Sequence, residues 1–61
     1  MEKKQISAPI GQIATIRGLT VEVLMTGERP DIKELLEVEG QPEVFLEVNF
    51  FRGDRAICCN L

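Results

Sequence analysis

Four groups of residues in this chain are of types that can do chemistry. Cys58-Cys59 could be a redox pair, and Glu34, Glu37, Glu39, Glu43 and Glu47 could gather a cation. Phe45, Phe50 and Phe51 could stack on bases, and Arg52-Gly53-Asp54 spells an adhesion tripeptide. Their spacing argues against each use. Neighbours on a strand point to opposite faces, and a bond between adjacent cysteines needs a geometry unlike ordinary disulfides. An exchanging thiol pair normally spans a turn at a helix start, which lowers one thiol pKa. The cysteines therefore read as one buried small apolar residue and one outward thiol. Two thiols with no histidine in the chain also make a poor zinc site.

Calcium loops set Asp or Asn at alternate positions around a central glycine. The five glutamates lack that pattern and read as a solvated outer face. Acid–base work needs a pocket and a raised carboxyl pKa, and no residue pattern points to either. Among the aromatics, Glu43 and Glu47 would repel a phosphate chain. Phe50 follows the apolar face of its segment and is expected in the core. Phe45 and Phe51 share the other face and suit a protein contact. Arg52-Gly53-Asp54 reads as a turn. No catalytic, cofactor-binding or metal-ligating residue is expected, and no cofactor.

Composition narrows the partners. The seven basic residues (Lys3, Lys4, Arg17, Arg29, Lys33, Arg52, Arg55) are scattered against ten acidic ones, for a net charge of −3. Nucleic-acid affinity comes from clustered cations that release condensed counterions, so that partner is disfavoured. No apolar run approaches the ~20 residues that span a bilayer, and Met1-Glu2-Lys3-Lys4-Gln5 does not lead into the apolar stretch of a signal peptide. Adjacent cysteines cannot staple distant loops, which fits a reducing compartment. A cytoplasmic domain without membrane insertion is expected. With 61 residues it is one domain at most, near the size at which a single core supplies roughly 3–5 kcal/mol.

The elements that must carry these residues read as short strands punctuated by glycine and proline. Residues 1–8 look like a flexible lead-in, and the domain is expected over 9–61. Ile10, Ile13 and Ile16 form a β-rich run ending at Gly18. Leu19, Val21, Val23 and Met25 then alternate with Thr20, Glu22, Leu24 and Thr26, the period of a half-buried strand. After the loop Thr26–Pro30, the spacing of Ile32, Leu35 and Leu36 predicts one helical turn that pins the loop to the core. Leu36–Glu39 returns to alternation, and Gly40-Gln41-Pro42 makes a turn. Val44, Leu46, Val48 and Phe50 face one way, and Ile57, Cys59 and Leu61 form a last inward set. About five short strands with turn signals every ~8–12 residues predict an all-β fold, a small Greek-key barrel or an incomplete version of one.

Four segments, in order, resemble the N-terminal barrel of rotary ATPase catalytic subunits, above all the F-type ATP synthase β-subunit. They are Gly11-x-Ile13-x-x-Ile16-x-Gly18-x-x-Val21-x-Val23, Pro30-x-Ile32, Leu36-Glu37-Val38, and Leu46-Glu47-Val48 followed by Gly53. The likeness covers about Ile10 to Leu61. Vacuolar-type and type III secretion ATPases carry related barrels, so the branch stays open. Two features depart from the family pattern. The turn after Gly53 is about a residue shorter, and the arginine of the family's valine–arginine pair is missing from Ala56–Leu61, leaving Arg55 earlier. The family barrel also has a sixth strand after this point.

The resemblance implies a non-catalytic assembly domain, one barrel of the crown that holds a hexameric ring together at the periphery of a membrane-bound, proton-transporting ATPase. Its structural residues would be Gly11 and Gly18 for the opening hairpin, Pro30 and Ile32 for the loop anchor, and Leu46 and Val48 for the core. ATP hydrolysis by this chain is not expected. No G-x-x-x-x-G-K-[ST] loop occurs among Gly11, Gly18, Gly27, Gly40 and Gly53, and no lysine follows Lys33. Partners are then neighbouring ATPase-type subunits or further copies of the chain. The alternative is a free-standing barrel adaptor that takes a protein or peptide at an open sheet edge, and an oligonucleotide-binding barrel is a distant third. An unpaired edge invites pairing with another chain. Light scattering should accordingly report a mass above that of one chain at high concentration, and a clean monomer there would count against self-association.

Overall fold

A computed structural model of the chain describes residues 9–61, and the lead-in expected over 1–8 lies outside the described residues. The alternating segment that starts the domain forms a hairpin of β1 (Gly11–Arg17) and β2 (Thr20–Met25). Its turn is Gly18-Leu19, and Gly18 sits at φ +57°, a conformation that costs a residue with a Cβ. Gly11 is required for a different reason. A Cβ there would overlap the carbonyl of Leu24 on the paired strand. Both glycines therefore serve the hairpin, as their positions suggest.

The remaining strands are β3 (Leu35–Val38), β4 (Gln41–Arg52) and β5 (Arg55–Asn60). β3 turns into β4 at Glu39-Gly40, and β4 into β5 at Gly53-Asp54. β5 then pairs with β2, so the antiparallel order is β1-β2-β5-β4-β3. A meander of β3, β4 and β5 with β2 beside its last strand, joined by the long 26–34 connection, is a Greek-key arrangement. The fold is all-β, and the sheet curls into a half-barrel whose edges among the described residues are β1 and β3.

One face of the curled sheet is the core. Val21 and Val23 of β2, Leu36 of β3, Leu46 and Val48 of β4, and Ala56 and Cys58 of β5 are buried together. Ile10, Met25, Val38, Val44 and Phe51 pack against them. Leu46 and Val48 thus occupy the core positions expected of them.

Four local expectations are corrected. The register of β4 passes from Val48 opposite Cys58 to Phe50 opposite Ile57, so Asn49 is an extra residue. Such a bulge reverses the side-chain phase beyond it. Phe51 therefore packs inward, and Phe50 points out, 49% exposed. In β5 the inward residues are Ala56 and Cys58, opposite Val23 and Val21, not Ile57, Cys59 and Leu61. An unbroken apolar run has no alternation to fix its phase. The predicted helical turn is absent. Residues 31–34 form a turn in which the Glu34 amide donates to the Asp31 carbonyl (3.1 Å) and the Asp31 amide to Glu34 Oε1 (2.8 Å). Lys33 there takes φ +73°, so Ile32 is exposed and only Pro30 is buried. Backbone bonds from the Lys33 amide to the Val48 carbonyl (2.6 Å) and from the Val48 amide to the Glu34 carbonyl (3.0 Å) anchor this loop instead. Lastly, Gln41 and Pro42 belong to β4 and not to the preceding turn, since proline is tolerated where a strand begins.

A second bulge explains an odd spacing. The β1 register skips Ala14, which sets Ile13 opposite Val23 and Ile16 opposite Val21. Residues three apart thereby share the inner face. Because Leu46 is buried in so small a core, Leu46→Ala should cost about 2–5 kcal/mol, comparable to the whole stability of a domain this size. Urea titration followed by circular dichroism should find that variant largely unfolded in buffer, whereas Phe50→Ser should shift the midpoint only slightly.

Candidate functional site

The curl of the sheet brings its two edges to the sides of one cleft. Ile10 and Ile13 line it from the β1 side, and Leu36 and Val38 from the β3 side, with Leu46 in the floor. Among the described residues no strand fills this seam. Ile13 and Ile16 point to the inner face by register, yet they remain 43% and 63% exposed. Side chains of the core type are left uncovered because, among the described residues, no strand lies beyond β1. The two edges differ in character. β1 is seven residues long and uncharged until Arg17, whereas the β3 edge is four residues long, carries Glu37 and is flanked by Glu34 and Glu39. Short, charged edges resist pairing and long, uncharged ones invite it.

The outer face is organised around Glu22. Its carboxylate meets Arg55 Nη1 at 3.1 Å and Arg52 Nη1 at 3.7 Å. Both arginines reach solvent while Glu22 is half-buried, so screening holds the pairs to about 1 kcal/mol at most. They also occupy Arg52 of the Arg52-Gly53-Asp54 tripeptide, whose Asp54 carbonyl accepts from the Met25 amide at 2.9 Å. The tripeptide is a structural turn. At one end of the core, the Arg29 guanidinium lies 4.3 Å from the centre of the Phe51 ring. This contact was hidden in the sequence by the Asn49 bulge, which alone turns Phe51 toward the loop side.

The five glutamates are not drawn together. Glu34 and Glu39 sit in the turns flanking β3, Glu37 lies on β3, and Glu43 and Glu47 on β4. No group of three or more His, Cys, Asp or Glu among the described residues has the spacing to hold a metal ion. Cys58 is buried, its thiol donating to the Ala56 carbonyl at 3.7 Å, and Cys59 is half-buried on the outer face. Burial pushes the Cys58 thiol above its ordinary pKa of 9.0, because the thiolate loses its hydration there. The arrangement offers surfaces and an open edge, with no convergence of reactive groups among the described residues. Comparison with protein-family models, with curated proteins and with solved structures finds no match to this chain.

The two thiols should differ in reactivity. In the native protein iodoacetamide should modify Cys59 while sparing Cys58, and both should react in denaturant, as read by mass spectrometry of the digested chain. The unfolded chain releases the Cys58 proton at lower pH than the folded one. Its contribution to stability is therefore fully present below pH 9.0 and lost as pH rises toward the elevated folded value.

Proposed function

We propose that this chain is a non-catalytic assembly domain of the kind found as the N-terminal crown barrel of rotary ATPase β-type subunits, with the seam between β1 and β3 receiving a neighbouring polypeptide. The observation that carries this proposal is the exposure of Ile13 and Ile16 on the inner face of an edge that no other described strand pairs with. A partner strand added at β1 satisfies the edge's backbone groups and covers both isoleucines in one step. The resemblance supplies the class of partner. It is supported by Gly11 and Gly18 shaping the first hairpin, by buried Pro30 and by Leu46 and Val48 in the core, whereas Ile32 of the same motif is exposed.

The same open edge supports a second use, a free-standing adaptor that takes an extended peptide from an unrelated protein. Affinity capture from an extract of the source cells separates the two. The wild-type chain should retain ATPase-type subunits, and Ile13→Glu/Ile16→Glu, which alters only exposed positions, should release them while leaving the far-ultraviolet spectrum unchanged. Retention of unrelated proteins instead would favour the adaptor. Salt-sensitive retention of RNA would overturn both.

A further inference from the structure

The outer face of β3, β4 and β5 carries an apolar patch that the seam does not use. Register places Leu35 and Cys59 on either side of Glu47, and Glu37 beside Phe45. The Leu61 amide donates to the Phe45 carbonyl at 3.0 Å, so Leu61 lies next to Phe45 on its other side. Phe50, turned outward by the Asn49 bulge, stands further along the same strand face. Leu35, Phe45, Phe50 and Leu61 are four of the eight exposed large apolar side chains among the described residues. They lie around Glu47, which makes no ion pair with another described residue, and Glu37 stands beside Phe45 on the same face. Exposed apolar side chains gathered on one face mark an interaction surface.

We infer that this face docks a polypeptide segment of another protein that presents an arginine framed by aliphatic side chains. Glu47 decides the chemistry of the occupant. Covering the patch removes water from that carboxylate, and a buried charge without a partner is strongly unfavourable. The occupant must therefore bring a cation to its centre. Arginine fits better than lysine, because its planar fork can pair with the carboxylate while its face stacks on Phe45 or Phe50. A second copy of this chain fits poorly. A two-fold axis through the centre of this patch would set Glu47 toward its own counterpart, and the arginines nearest it on β4 and β5, Arg52 and Arg55, are already engaged by Glu22.

The test uses a short capped peptide of alternating leucine and arginine, titrated into the isotopically labelled chain and followed by amide shifts. Shifts should concentrate at Leu35, Phe45, Glu47 and Phe50. Glu47→Gln should weaken binding about tenfold or more, whereas Glu28→Gln, which removes the same charge from an exposed loop, should change it less than twofold. Replacing arginine by citrulline in the peptide should abolish binding. Equal losses in the two glutamate variants would reveal unspecific attraction to an acidic protein and overturn the inference, as would shifts centred on Ile10, Ile13 and Leu36. Ile13→Glu/Ile16→Glu should leave peptide binding intact, so failure at the seam and failure at this face are told apart.

Discussion

The placement of β5 between β2 and β4 is the pairing on which the rest of the structure depends, because it alone joins the first hairpin to the meander. Val21 and Val23 come from one side of that junction, and Leu36, Leu46 and Val48 from the other. Ala56 and Cys58 fill the line where they meet, and both are almost wholly buried. Ile57 is buried too, although it points to the opposite face. Its neighbours there are Glu22 and Phe50, and the ion pairs of Glu22 with Arg52 and Arg55 extend that cover. A central strand covered on both faces explains why β5 reads as a continuous apolar run. With it in place, two sub-structures too small to stand alone share one core.

Two bulges then decide what each face presents. The Ala14 bulge lets isoleucines three residues apart share the inner face of β1, and the Asn49 bulge sends Phe51 in and Phe50 out. Bulges also increase the local twist of a strand, which agrees with a sheet that curls until its edges line a single cleft. The consequence is an imbalance of surfaces. The inner face has more aliphatic groups than the curled sheet covers, and the outer face of β3–β5 has more than a solvated surface requires. The two excesses lie on different parts of the sheet, so a seam occupant and an outer-face partner could be bound together.

The electrostatics of the two surfaces are opposed in an informative way. Along the seam acidic residues lie on and beside β3, whereas β1 carries no charge before Arg17. On the outer face the carboxylates of Glu47 and Glu37 sit among apolar side chains, the feature from which a cationic partner is inferred. Glu22 shows the complementary arrangement within the chain itself. Its side chain is 14% exposed and carries two arginines, the form in which a half-buried carboxylate on this sheet is stably satisfied.

Much of the fold was legible in the residues. Alternation over Leu19–Met25 and Val44–Val48, with glycines at the turns, was enough for an all-β fold with Leu46 and Val48 inside, because burial of one sheet face imposes period two on any strand that obeys it. The resemblance, too, came from sequence alone. Three-dimensional pairing decided what alternation could not encode. Phe50 and Phe51 exchanged faces because one residue, Asn49, has no partner on β5. The phase of Ala56–Cys59 was set by the strands on either side of it, and the spacing of Ile32, Leu35 and Leu36 belonged to a turn running into a strand. The outer patch could not be read in advance, since Leu35, Phe45, Phe50 and Leu61 lie far apart along the chain or in the wrong phase until register joins them. The amino-acid order fixed the local period, and the ladder between β2, β5 and β4 chose the side on which each period counts.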